Sequence, residues 1–253
     1  MSLQLDDEER LLSAHIADLQ RISRKSGAPR FSAFLNEREQ RIACSAAQGE
    51  VSFFGGYEGA SRKICAFFGQ TYCEDLTDED RQGLFPLAAV TFVWRKSDSL
   101  SHRDILGALM SLGIKRGLLG DILAAEDYAI VFVHETAAEL VLAVDKIGRV
   151  GVTCTEGINR AIPQQKTQTV TATVSSLRLD CIVSAAANIS REKSASLIKS
   201  GLVNADFSPC TDTSAVIKEN TIISIRGSGR FRLNEICGET RKGRISIKID
   251  RYL

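Results

Sequence analysis

The spacing of the apolar residues changes once in the C-terminal third, and that change constrains this chain more than any other feature. Leu179, Ile182, Val183 and Ala186 recur at i, i+3, i+4 and i+7, one stripe of an amphipathic helix. Ser190 is a residue type that caps helix starts. The helix it opens would bury Ala195, Ile198 and Leu202 and end at Gly201. Beyond Gly201 the period becomes two. Phe231 and Leu233 alternate with Arg230 and Arg232, and Ile245, Ile247 and Ile249 alternate with Ser246, Lys248 and Asp250. Two helices followed by a small antiparallel sheet are predicted for residues 175–253.

Upstream the texture differs. Residues 1–84 read as a helical region, with Leu5, Leu12, Ile16 and Leu19 at helical spacing and a glycine punctuation at Phe53-Phe54-Gly55-Gly56-Tyr57. Arg62 and Lys63 read there as a solvated face. Residues 85–174 read as a β-α-β-α-β sandwich. Its elements are a strand at Leu87–Trp94, a helix at Ser101–Leu112 capped by Ser101, and a strand at Tyr128–Val133. A helix at Ala137–Ile147, a strand at Gly148–Cys154 and a last strand at Thr167–Val174 complete it, with the polar Gln164–Thr169 a candidate for the loop into that strand. The predicted class is α+β and multidomain: a helical N-terminal region, a small α/β middle domain, and a two-helix-plus-sheet C-terminal domain.

Charge divides along the same line. The whole chain has a formal net charge of only +1, yet residues 175–253 hold 13 Lys and Arg against 8 Asp and Glu, leaving 19 against 23 in residues 1–174. That is the distribution of a neutral or acidic scaffold carrying a basic working module. Seven scattered cysteines without a C-x-x-C pair read as reduced thiols, and the polar, acidic start is unlike a signal peptide. No apolar run is long enough for a bilayer, so a cytoplasmic protein with no membrane partner is expected. Three histidines without ligand spacing imply no metal site, and no cofactor loop is seen.

Four motifs converge in the basic segment. Leu177-Arg178-Leu179-Asp180 opens the first helix and Ser190-Arg191-Glu192-Lys193 the second. Ala195, Leu197, Ile198, Gly201 and Val203 follow in order, and a hairpin strand ends in Ile223-Ser224-Ile225-Arg226-Gly227. This pattern resembles the S4 RNA-binding domain. The extensions Arg226-Gly227-Ser228-Gly229-Arg230-Phe231 and Thr240-Arg241-Lys242-Gly243-Arg244 narrow the likeness. With Phe53-Phe54-Gly55-Gly56-Tyr57-Glu58-Gly59 and His102-Arg103-Asp104 through Gly113 upstream, nearly the whole chain resembles the YlmH family of bacterial S4-domain proteins. The resemblance implies non-catalytic binding of structured RNA, ribosomal or transfer RNA, on the large ribosomal subunit in handling stalled translation complexes. It implies RNA binding by the middle domain too. No DNA partner is expected.

The residues agree with that reading. The helix start at Ser190 presents free backbone N–H groups and a positive dipole end, which favour a phosphate. Arg191 and Lys193 stand in its first turn, where cations oppose the dipole unless an anion arrives, and Lys199 lies further along. Arg178, Arg226, Arg230, Arg232, Arg241, Lys242 and Arg244 extend the candidate RNA surface. Asp180 is expected to pair with a base rather than touch RNA. Arg95, Lys96, Arg103, Lys115 and Arg116 form a second candidate patch, while Phe92 and Trp94 read as core. With few exposed aromatics, backbone and shape recognition is the expected mode.

Two positions depart from the family pattern. Asp206 stands where Asn is usual, adding a negative charge near the RNA face. Asn220-Thr221 replaces a Gly-Asp turn, which Asn can still form. Arg178-Leu179-Asp180 is similar to the Arg-Leu-Asp of pseudouridine synthases, but Leu177 replaces the His and no Thr-Ser-Gly follows. His102-Arg103-Asp104 lacks the metal-binding Asn of a kinase loop, since Leu109 stands there, so His102 and Asp104 read as first-turn helix residues. An RNA-modifying enzyme and a protein–protein adaptor remain as alternatives.

Overall fold

The computed structural model describes residues 6–69, 76–163, 167–240 and 243–252, in two compact units, Met1–Pro163 and Gln164–Leu253. Leu5, Cys73, Arg241, Lys242 and the loop residues 164–166 lie outside the described residues.

In the first unit the order is α1 (Asp7–Ser26), β1 (Arg30–Leu35), α2 (Glu37–Ala46), β2 (Ser52–Phe54), β3 (Lys63–Phe67), α3 (Asp78–Gly83), β4 (Leu87–Val93), α4 (His102–Ser111), β5 (Leu119–Ala124), β6 (Tyr128–His134), α5 (Glu135–Leu142), β7 (Lys146–Ile147), β8 (Val150–Gly151) and β9 (Thr153–Glu156). Two antiparallel sheets form, β1-β3-β2 and β5-β6-β4-β9, with β7 and β8 as a separate ribbon. The first 84 residues are therefore mixed α/β and not helical as expected.

The reason is a second buried face. Along β3, Cys65 and Phe67 pack with Ile16 of α1 and Ala43 of α2, while Ile64 and Ala66 pack with Ile130 and Phe132 of β6. Along β6, in turn, Ala129, Val131 and Val133 join Ile105 and Leu109 of α4 and Val141 of α5. The layers run helix, sheet, sheet, helix. Strands buried on both faces lose the alternation that identifies a strand in sequence. Phe92 and Trp94 are core, and Ser101 and Asp104 make the expected capping box of α4. The helix predicted to reach Ile147 stops at Leu142, and the expected Gly148–Cys154 strand is two short ones.

In the second unit the order is β10 (Thr167–Val174), α6 (Leu179–Ala187), α7 (Arg191–Lys199), β11 (Val203–Ala205), β12 (Ser208–Pro209), β13 (Ile222–Ile225), β14 (Gly229–Glu239) and β15 (Ile245–Tyr252). All but the helices join one antiparallel sheet, β10-β15-β14-β13-β11-β12. Thr167–Val174, expected as the last strand of the middle domain, pairs along its whole length with β15, from Thr167↔Tyr252 to Val174↔Ile245. Val174 supplies the reason: it is buried in the C-terminal core with Leu179, Ile182, Ile247 and Ile249.

The alternation read in the sequence holds. Phe231, Leu233, Ile247 and Ile249 face the helices, and Arg230 and Arg232 stand on the other side of the sheet. Burying that apolar set stabilises the unit by about 25 cal/mol for each Å² of apolar surface removed from water.

Candidate nucleic-acid interface

The helix starts of the second unit carry the first constellation. Asp180, at the second position of α6, is only 6% exposed. It accepts a hydrogen bond from Arg178 Nε at 3.2 Å and one from Arg191 Nη2 at 2.6 Å. Ser194 donates to the Asp180 carbonyl at 2.8 Å, tying α7 to α6. Burial would raise the Asp180 carboxyl, but the two arginines outweigh it and hold it below the ordinary carboxylate value. The expectation that Asp180 pairs with a base is met by two bases at once.

Those arginines are oriented rather than consumed. Their side chains remain 44% and 56% exposed, and a guanidinium carries five donors, most of which Asp180 leaves available. Beside them Ser190 caps α7, accepting from Lys193 N–H at 3.2 Å. Lys193, Lys199 and Arg226 are exposed, and among the described residues their side chains have no hydrogen-bond or ion-pair partner.

Arg232 and Arg244, also expected to contribute, are committed to the fold. Arg232 pairs with Asp250 at 2.7 Å, and Asp250 also accepts from Thr169 Oγ1 at 2.6 Å. The Thr169 hydroxyl and then Arg232 hold Asp250 below its ordinary value despite burial. Arg244 is exposed but donates to the Thr173 carbonyl at 2.7 Å. Arg230 lies over the Phe207 ring at 5.5 Å. Asp206, expected to add charge to the RNA face, accepts from Ile222 N–H at 2.9 Å, so one oxygen anchors a turn. Asn220 takes the left-handed backbone expected of it, with φ 64°.

The first unit treats its cations differently. Arg62, read from sequence as solvated, is half-buried. It donates to the carbonyls of Leu119 and Phe34 at 2.9 Å each and of Arg116 at 3.3 Å. Arg116 donates to Leu119 at 2.7 Å, which removes it from the second basic patch. Burial, and for Arg116 then the Arg62 charge, lowers both guanidinium values. Asp121 accepts from the Tyr57 hydroxyl at 2.8 Å and from the backbone N–H groups of Ser61 and Arg62. Burial first, and then the Asp121 charge, push the Tyr57 phenol up.

The glycine punctuation serves this knot. Gly56 has φ 97°, and a Cβ there would collide with the Phe132 ring, on which Tyr57 stacks at 5.0 Å. Arg95, Lys96, Arg103 and Lys115 stay exposed. No cluster able to hold a metal and no helix long and apolar enough to cross a membrane occurs among the described residues.

The sequence has counterparts among known proteins. The family model described as "Putative RNA-binding domain in YlmH" matches residues 87–159, the span from β4 past β9. Over 252 residues the chain is 32% identical to the "Ribosome-associated protein quality control protein P2" of Bacillus subtilis (strain 168), covering 96% of this chain and 95% of that protein. A solved structure, "Cell division protein ylmH from Streptococcus pneumoniae", is similar over 62% of this chain and 96% of its own, with TM-score 0.49 and 23% identity. The chain belongs to the YlmH family.

Proposed function

We propose that this protein binds structured RNA without altering it chemically, anchoring through an S4-type C-terminal unit. The observation that carries the reading is the constellation at the starts of α6 and α7. There, two arginines are aimed by a buried aspartate and Lys193 stands exposed and unpaired, as do Lys199 at the end of α7 and Arg226 in the turn after β13. Cations at a helix N-terminus weaken the isolated helix, and a phosphate reverses the sign of that effect. The relative associated with ribosomes, and the family model for an RNA-binding domain, support RNA as the source of the phosphates. The RNA is ribosomal or transfer RNA on the large subunit, in complexes with stalled translation, and the protein works in the cytoplasm. Exposed Arg95, Lys96, Arg103 and Lys115 supply a second RNA-facing patch on the middle segment.

The test is sedimentation with cell lysate on a sucrose gradient, at low and raised salt. The wild-type protein is expected to migrate with ribosomal particles and to be released by salt, as counterion release requires. Lys193→Glu/Arg226→Glu should lose the association while keeping its fold. A wild-type protein that stays at the top of the gradient at every salt concentration sinks the ribosome reading.

A further inference from the structure

We propose that Phe207 and Arg230 form a stacking platform for a single unpaired nucleobase, with Asn204 and Ser224 reading its edge. The inference rests on the RNA reading above and adds to it a mode of recognition that the scarcity of aromatics in the sequence argues against.

Backbone geometry is the first observation. β11 and β12 pair Ala205 with Ser208, leaving a two-residue hairpin loop, Asp206-Phe207. Both residues have positive φ, 46° and 64°. Such a loop favours Asn-Gly or Asp-Gly, because a side chain in the left-handed region crowds its own backbone. Asp206 suits the first place and is held there by the Ile222 N–H. A phenylalanine in the second place is the costly choice, where glycine would do the turn's work without strain.

Core packing does not compensate for it. Phe207 lies outside the apolar cluster of the C-terminal unit, which includes its neighbours Ala205 and Cys210. Its ring instead meets the Arg230 guanidinium at 5.5 Å. An aromatic ring and a planar cation in contact form a surface on which a base can stack, a contact every base offers whatever its sequence.

The sheet places polar groups alongside. Asn204 is paired with Ser224, and Ser224 with Arg230, so the three share one face of β11, β13 and β14. The side chains of Asn204 and Ser224 are half-exposed, and among the described residues they have no hydrogen-bond partner. An amide and a hydroxyl can both donate and accept, which suits the edge of an unpaired base. Exposed Arg226, at the turn joining β13 to β14, is placed for the adjoining phosphate.

The experiment uses a stem–loop RNA with one 2-aminopurine in its unpaired loop, titrated with the full chain at low salt. Affinity and 2-aminopurine emission are read together, and thermal unfolding is followed in parallel. The wild-type protein should bind and change the emission. Phe207→Gly relieves the backbone, so it should raise the unfolding midpoint, yet weaken binding about 5- to 100-fold and abolish the emission change. Phe207→Trp should keep both binding and the emission change. A Phe207→Gly protein that binds as the wild type does, with the same emission change, overturns the platform while leaving RNA binding intact. A lowered midpoint in Phe207→Gly would assign Phe207 to the fold and overturn the inference equally. Failure of the wild-type protein to bind the stem–loop overturns the RNA reading itself and the platform with it.

Discussion

Two aspartates, one in each unit, stand among pairs of arginines and put them to opposite uses. Around Asp121 the guanidinium groups of Arg62 and Arg116 turn inward onto backbone carbonyls, and the carboxylate takes its hydrogen bonds from a tyrosine and a loop backbone. Around Asp180 the arginines Arg178 and Arg191 make direct ion pairs and keep about half of their surface in water. The first arrangement welds β1, β3 and β5 together. The second holds cations at a defined place with donors to spare. Cation count is therefore a poor guide to a nucleic-acid surface. What matters is where the remaining donors point.

Breaking the first knot should cost most. Arg62→Ala leaves the Phe34, Leu119 and Arg116 carbonyls without that donor, a loss on the order of 3 kcal/mol in denaturant unfolding of the first unit. RNA affinity of the still-folded fraction should not change. Equal loss of stability and of affinity would erase the contrast between the two aspartates.

Asp180→Asn comes next, with about 2 kcal/mol of stability lost because charge-assisted hydrogen bonds to a buried carboxylate become neutral ones. The substitution adds a net positive charge, so simple attraction predicts tighter RNA binding. The orienting role predicts the reverse, a several-fold weaker affinity in a filter-binding titration. Tighter binding would reduce Asp180 to a structural residue.

A smaller effect is expected from acid. The folded forms of Asp180 and Asp250 both titrate below the ordinary carboxylate value near 3.9. Their contribution to stability is therefore complete above about pH 4 and is lost as pH falls through the depressed folded values. Stability of the C-terminal unit, measured by urea unfolding across that range, should decline below about pH 4, and less steeply in Asp180→Asn. The same slope in both proteins would mean that Asp180 takes no part in it.

The smallest change is expected from Lys199→Ala. This lysine is exposed and unpaired, so the urea midpoint should stay where it is. If Lys199 meets a phosphate, the slope of log affinity against log salt should shrink by about 0.7 to 0.9. An unchanged slope would place Lys199 outside the interface.

Much of the second unit could be read along the chain, because its signals are local. The stripe of α6, the Ser190 cap and the alternation in β14 and β15 each involve residues no more than a few positions apart. The first unit hid more. β5 escaped because Gly120 and Asp121 are poor strand residues. Yet a Cβ at Gly120 would come within 2.7 Å of the Phe34 ring, and Asp121 is needed by the Tyr57 loop. β10 was read as a strand and given to the wrong sheet, since its partner, β15, begins about 70 residues later. Nothing in Thr167–Val174 itself names that partner. At the candidate site, Arg191, Lys193 and Arg226 were legible as cations at motif positions, but the stacking of Arg230 on Phe207 was not. The local sign of it was a bulky residue in a two-residue turn.

By itself the sequence determined where α4, α6 and α7 start, which faces of the C-terminal elements are apolar, and that a net positive charge lies after residue 175. These follow from backbone periodicity and capping, which act over one or two turns. Only the tertiary structure decided which cations are available. Arg62 reaches carbonyls 28 to 57 residues away, Arg191 an aspartate 11 residues back, and Arg232 an aspartate 18 residues ahead. A charged side chain finds its partner by proximity in space, and burial sets how strongly it is held. Neither is written in the neighbouring residues.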